Sequence, residues 1–287
     1  MADQPVDIRT VSPEEYWSVF ERQWTSLLSY RYLGRVSGKL DTNEGAGRML
    51  LRSDMRNRQG GVMAAPLCIF APESGGMADD QYVPNPVIAS MQVLDDARDV
   101  QTVRGIPETV RIGRQMGFSR TLIVDDLNPS RVVAISEGMG ISLGATPGGY
   151  QRVDNQPIAI ADSPDLPPLH EVFGATCDPG GVWRLPKLSI ETASPDAALH
   201  LGPQHIVLET AAVDAATRLA GVSNLQVLSY HCMFAARGKV GPFRVLADPY
   251  EGGSGKVGVR LTLRDEGNDD RAITSASILF QVATNDQ

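Results

Sequence analysis

Apolar and polar positions along the chain run through one series of elements, and then through much of the same series again. Tyr16, Phe20, Trp24 and Leu27/Leu28 recur at helical spacing and predict a helix over 13–30. Ser12 can cap it, Pro13 suits its first turn, and Glu14 and Glu15 suit the positive end of its dipole. A short strand at Arg48–Arg52 follows. A small, apolar, helix-like stretch comes after Gly60-Gly61 and stops near Pro72 and Gly75-Gly76. Residues 87–94 and 98–104 read as extended. Strands at 120–125 and 131–136 flank a turn at Asp126–Ser130. Farther on, a strand near 188–191 leads to a helix over about 203–220, ended by Gly221. Strands follow at 225–235, 243–247, 257–264 and 272–282, with a turn at 265–269 in the place of the earlier one.

A repeat of roughly 145 residues implies fused domains rather than a solenoid of short units. The Pro-, Gly- and Asp-rich stretch 144–182, with Pro164, Pro167, Pro168 and Gly180-Gly181, is the linker candidate. The expected boundaries are an N-terminal helical extension over 1–44, a first domain over 45–160, a linker over 161–182 and a second domain over 183–287. Each domain is α+β. A helix so poor in charge must be covered nearly all round, and an antiparallel sheet curled around it supplies that cover.

Composition narrows the function without choosing one. The chain has 287 residues, 42% of them hydrophobic, a net charge of −8 and a pI near 5.1. That balance argues against a nucleic-acid partner. Cys68, Cys177 and Cys232 lie far apart and are odd in number, which points to a reducing compartment. The start, Met-Ala-Asp-Gln-Pro-Val-Asp, has neither a basic nor an apolar run, and no stretch approaches the ~18 apolar residues of a membrane span. The expectation is a cytoplasmic protein with no membrane partner. Four scattered histidines predict no metal site. Gly253-Ser254-Gly255-Lys256 lacks the spacing of a phosphate loop.

The chemistry concentrates in the two helix-like stretches. The first opens with Gln59-Gly60-Gly61 and reaches Cys68; the second opens with His205 and reaches Glu209 and Asp214. Each half resembles the hotdog-fold acyl-CoA thioesterases of the phenylacetyl-CoA and 4-hydroxybenzoyl-CoA thioesterase superfamily, and the pair looks like a tandem, or double, hotdog. The family pattern is His-Gly-Gly at the helix entry with an acid nine residues after the His. Gln59-Gly60-Gly61 keeps the glycines, with Cys68 at the acid's place; His205 keeps the His, with Asp214 at the acid's place. In the family, a glycine amide from one subunit holds the thioester carbonyl and the facing subunit brings the acid. The resemblance therefore implies one composite site from Gly60 and Asp214, with Glu209 as the rival acid and the reciprocal site dead.

Physical chemistry gives these residue types that use. Hydrolysis develops charge on the carbonyl oxygen, which a free backbone N–H stabilises. A carboxylate across the cleft attacks or activates water. Gln59, Gly61, Asn57, His205 and Ser229 are candidate substrate-binding residues, and Pro66 threatens to delay or kink the first helix. No cofactor is expected beyond the coenzyme A of the substrate. The expected partner is a small acyl-CoA, with a homodimer of double hotdogs as a further expectation. Two alternatives stay open: an acyl-CoA-binding protein with decayed chemistry, and a hotdog enoyl-CoA hydratase suggested by Asp126-Leu127-Asn128-Pro129-Ser130-Arg131, where Arg131 stands in place of a His.

Overall fold

The computed structural model describes residues 4–34, 47–71, 82–145, 147 and 157–282. The strands before residue 146 are β1 (Arg48–Leu50), β2 (Tyr82–Val93), β3 (Thr102–Ile112), β4 (Met116–Asp125) and β5 (Val132–Ala145). Later come β6 (Thr176–Cys177), β7 (Trp183–Leu185), the small β8 (Ala193–Ser194) and β9 (Ala198–Leu199), then β10 (Leu225–Phe234), β11 (Phe243–Glu251), β12 (Lys256–Asp265) and β13 (Arg271–Val282). Eleven of them form one sheet in the order β1-β3-β4-β5-β2-β10-β13-β12-β11-β7-β6. Every neighbouring pair is antiparallel. The early and late strands thus keep to opposite sides of a single joint, where β2 and β10 pair from Ile88↔Met233 to Gln92↔Ser229.

Alternation along the strands decides which face is covered. On β12, Val257, Val259, Leu261 and Leu263 are buried while Arg260 is exposed. On β4, Ser119, Thr121 and Ile123 are buried while Arg120 and Leu122 are exposed. The covered face receives α3 (Ala64–Phe70) and α5 (Leu201–Ala220), which also pack on each other. All seven residues of α3 are buried. The helix from about 203 to 220 and its glycine stop are therefore found nearly as expected, with Gly221 left-handed at φ 68°.

Departures from the expected elements have local causes. The N-terminal helix is interrupted: α1 (Tyr16–Ser26) ends at Leu27, whose extended backbone (ψ 114°) starts the short α2 (Leu28–Arg31). The first-half helix does not begin at Gly60-Gly61. Gly60 sits at φ +83° in a turn, and the helix starts only at Ala64. Pro66 is its third residue, where the missing N–H is one that no turn of helix would have used, so it does no harm. The helix ends at Phe70, with Ala71 extended, close to the expected stop near Pro72; Pro72 and Gly75-Gly76 themselves lie outside the described residues. No strand forms at 188–191, because Ser189 and Thr192 close a turn through their own backbone and hydroxyls. The expected linker 161–182 is partly ordered structure. It carries α4 (Leu169–Val172), packed on α5, and edge strand β6, paired with β7 across Gly180-Gly181. No helix among the described residues is long and apolar enough to cross a membrane.

The N-terminal extension docks on the start of α5. Buried Gln23 ties Val6 to Pro195 through both ends of its amide. Ser29 Oγ lies 2.9 Å from Nδ1 of His200, whose same nitrogen accepts from the Gly202 amide at 3.2 Å. A Cβ on Gly202 would stand 2.1 Å from Ser29 Oγ and 2.5 Å from Ser29 Cβ. Gly202→Ala should therefore destabilise the fold by about 1–3 kcal/mol despite alanine's better helix propensity. Urea unfolding checks this; an unchanged midpoint would mean that the extension is not seated there.

Candidate functional site

Residues 57–61 form a tight turn whose groups satisfy one another. The Gly60 amide donates to Asn57 O at 3.0 Å, and Gly60 O accepts from Arg56 Nη1 at 2.9 Å. Asn57 Oδ1 accepts from the Gln59 amide (3.0 Å) and the Gly61 amide (2.9 Å). The turn also grips the second half. Asn57 Nδ2 donates to Leu225 O at 3.2 Å, and Gln59 Nε2 donates to Ser223 O at 3.1 Å. Asn57, Gln59, Gly60 and Gly61 thus lie together at the seam. The two glycine amides, however, are engaged inside the turn and are not at the helix start.

The amides at the helix start belong to Ala64 and Ala65, and a carboxylate meets them. It is that of Glu209, not Asp214. Ala64 N donates to Glu209 Oε1 at 2.8 Å and Ala65 N donates to Oε2 at 2.5 Å. Glu209 is 2% exposed. Removing a carboxylate from water costs several kcal/mol. Each amide bond to a charged group returns about 1.5–3 kcal/mol. The two nearly offset each other, and burial wins by a margin: it pushes the Glu209 carboxyl up to about 7, against the pull of the two amides and of His205.

Asp214 faces elsewhere. Its Oδ2 accepts from Trp183 Nε1 at 3.1 Å and pairs with Arg218, one turn on, at 2.5 Å. The expected pairing of Gly60 with Asp214 does not form. One turn before Glu209 on α5, His205 is fully buried, and its Nδ1 lies 3.0 Å from Tyr230 Oη. Tyr230 Oη is in turn 3.8 Å from Cys232 Sγ. Cys68 is a buried core residue of α3, as its sequence surroundings suggest. Ser229 falls on the opposite face of β10 from Tyr230. A bulge between Val227 and Ser229 shifts the alternation there, so the hydroxyl looks away from α5. Tyr230, Ala64 and Ala65 are not among the residues that the sequence singles out; the bulge is what puts Tyr230 on the α5 side of β10.

A cavity of about 200 Å³ lies between the two halves, and neither Glu209 nor Ala64 or Ala65 is among the residues that line it. Met63 and Thr210, chain neighbours of Ala64 and Glu209, line it together with Asp54, Arg56, Leu169 and His170. It is therefore walled by both halves and by α4. Among the described residues no group of three or more His, Cys, Asp or Glu side chains gathers to hold a metal.

No protein-family model matches the chain, and no curated protein matches it in sequence. Solved structures do match. An acyl-CoA thioesterase II from Mycobacterium marinum is similar at a TM-score of 0.54 and 15% identity, over 84% of this chain and 94% of that one. A hotdog-fold protein from Alicyclobacillus acidocaldarius matches at 0.54 and 11% identity, over 85% and 95%. A protein described as a thioesterase, from Novosphingobium aromaticivorans, matches at 0.54 and 15%, over 83% and 96%. At these identities the likeness establishes the hotdog fold.

The geometry at Glu209 fixes the sign of a pH effect. Its proton is held up to about 7 in the folded chain, against an ordinary value of 4.5. The stability it contributes is complete below the ordinary value and is lost as pH rises through about 7. The unfolding free energy of Glu209→Gln, relative to the unsubstituted protein, should therefore rise by on the order of 2–3 kcal/mol between about pH 4.5 and pH 8. Urea denaturation at the two ends of that window measures it, and a flat difference contradicts the assignment.

Proposed function

We propose that the chain is an acyl-CoA thioester hydrolase of tandem, double-hotdog architecture with one composite site between its halves. The observation that carries this reading is the convergence of Glu209, from the second half, on the Ala64 and Ala65 amides of the first, with their chain neighbours Met63 and Thr210 on the wall of a cavity. An acid and two hydrogen-bond donors are what acyl transfer needs. The proposed acid is Glu209 in place of Asp214, and the proposed donors are Ala64 and Ala65 in place of Gly60.

In this reading the thioester enters through the cavity and its carbonyl oxygen replaces the Glu209 carboxylate on the two amides. The displaced carboxylate attacks the carbonyl carbon or takes a proton from the water that does. The carbon–sulfur bond breaks and the coenzyme A thiolate leaves with its electron pair. Water supplies the second oxygen of the acid product. A carboxyl that titrates near 7 is matched to base catalysis at neutral pH. The site needs no cofactor beyond the coenzyme A of the substrate.

One observation favours a second reading, an acyl-CoA-binding protein without turnover. Both oxygens of Glu209 are already bonded to the amides that the substrate would use. A panel of acyl-CoAs with a thiol-trapping dye separates the two. Turnover is expected, and Glu209→Gln should lower kcat by at least about 100-fold, while Asp214→Asn, which keeps an acceptor for Trp183, lowers it far less. Full turnover in Glu209→Gln removes the hydrolase mechanism. Thermal stabilisation by acyl-CoA with no thiol release selects the binding protein.

A further inference from the structure

The polar groups around the cavity are engaged with the protein, with one exception. Asp54 is paired with Arg52 in a buried ion pair (3.0 Å). The guanidinium of Arg56 donates to four backbone carbonyls, those of Gly60, Ala97, Leu51 and Val100. Thr210 donates its hydroxyl to Ile206 O, and Ser53 donates its own to Ser163 O. The exception is His170. Among the described residues its imidazole makes an edge contact with Trp183, with ring centroids 5.0 Å apart at 80°, and Nε2 approaches Glu171 Oε1 at 4.0 Å. Neither contact is a hydrogen bond.

His170 is nevertheless held in place. Pro168 begins α4, buried Leu169 anchors it, and α4 packs on α5. Behind the imidazole, Trp183 is fixed by its Nε1–H bond to Asp214, which Arg218 steadies in turn. A relay of side chains from α5 thus sets the ring's position on the cavity wall. The ring is half-buried, and that burial holds its pKa below the ordinary value, so it is neutral at neutral pH. A neutral imidazole offers one donor and one acceptor, which suits an amide rather than a phosphate. An alkyl chain pressed against it would strand both nitrogens without water, a cost that favours a polar occupant.

We propose that His170 is a binding residue that hydrogen-bonds an amide of the pantetheine arm of a coenzyme A thioester held in the cavity that Met63 and Thr210 also line. The identity of the ligand rests on the hydrolase reading; the placement of His170 does not. Asp214 and Trp183 are positioning residues that act through it. This gives the expected linker a share in the site, because α4 is what brings His170 to the wall.

The test is calorimetric titration with S-ethyl-coenzyme A, a thioether that cannot be hydrolysed, alongside turnover of the matching thioester. His170→Ala should weaken thioether binding, and raise KM, about tenfold, with kcat within about threefold. His170→Gln, which restores a donor and an acceptor, should recover most of the affinity. Unfolding midpoints of both variants should stay close to that of the unsubstituted protein, since a structural role would move the midpoint rather than the affinity. Unchanged thioether affinity in His170→Ala overturns the inference and leaves the hydrolase reading standing if Glu209→Gln still abolishes turnover. Thioether binding without turnover in the unsubstituted protein removes hydrolysis alone, and the His170 affinities still decide this proposal. No thioether binding in the unsubstituted protein overturns this proposal, and turnover of the matching thioester then decides the hydrolase reading by itself.

Discussion

Glu209 reaches from α5 to the first two amides of α3 and is almost wholly buried there. Ala64 and Ala65 have no helical acceptors for their N–H groups, because they open the helix. Each partner therefore answers a deficit in the other. The contact joins residues 145 and 144 positions apart in sequence, so it forms only when the two parts of the chain are docked. Breaking one side alone leaves the other buried and unsatisfied, which is the costly case.

The rest of the seam holds that contact in register. The β2–β10 pair makes one continuous sheet of the early and late strands and so fixes the height of α3 against α5. The turn at 57–61 locks onto residues 223 and 225 just beyond the end of α5. Arg56 ties that turn back to Ala97 and Val100. The bonds of this turn hold the chain so that the amides three and four residues after Gly61 meet the acid. His205 and Tyr230 lie beneath the acid as a buried hydrogen-bonded pair and continue the polar seam into the core.

Much of this was legible in the sequence, and the failures are instructive. The period-2 runs at 257–264 and 272–282 and the charge-poor run at 203–220 became β12, β13 and α5 within a residue or two, because burial on one face dictates them directly. Glu209 was visible as an acid one turn before Asp214, yet spacing from His205 favoured Asp214, which does not meet the α3 amides. On α5 the two acids face different neighbours: Asp214 meets Trp183 and Glu209 meets the amides of α3. Gly60 misled because its positive φ serves a turn, not a helix entry. Ser229 was lost to a bulge that no alternation rule anticipates. His170 lay in a stretch read as linker, where Pro and Gly gave no sign of a packed wall.

The account stands on the titrating contact between Glu209 and the two amides. Nuclear magnetic resonance of the Ala64 and Ala65 amide signals, followed as pH is varied, tests it most directly. Both signals should shift together with one midpoint near 7, and that shift should vanish in Glu209→Gln. Signals that stay still across neutral pH, or that titrate unchanged without Glu209, would mean that the acid is not bonded there.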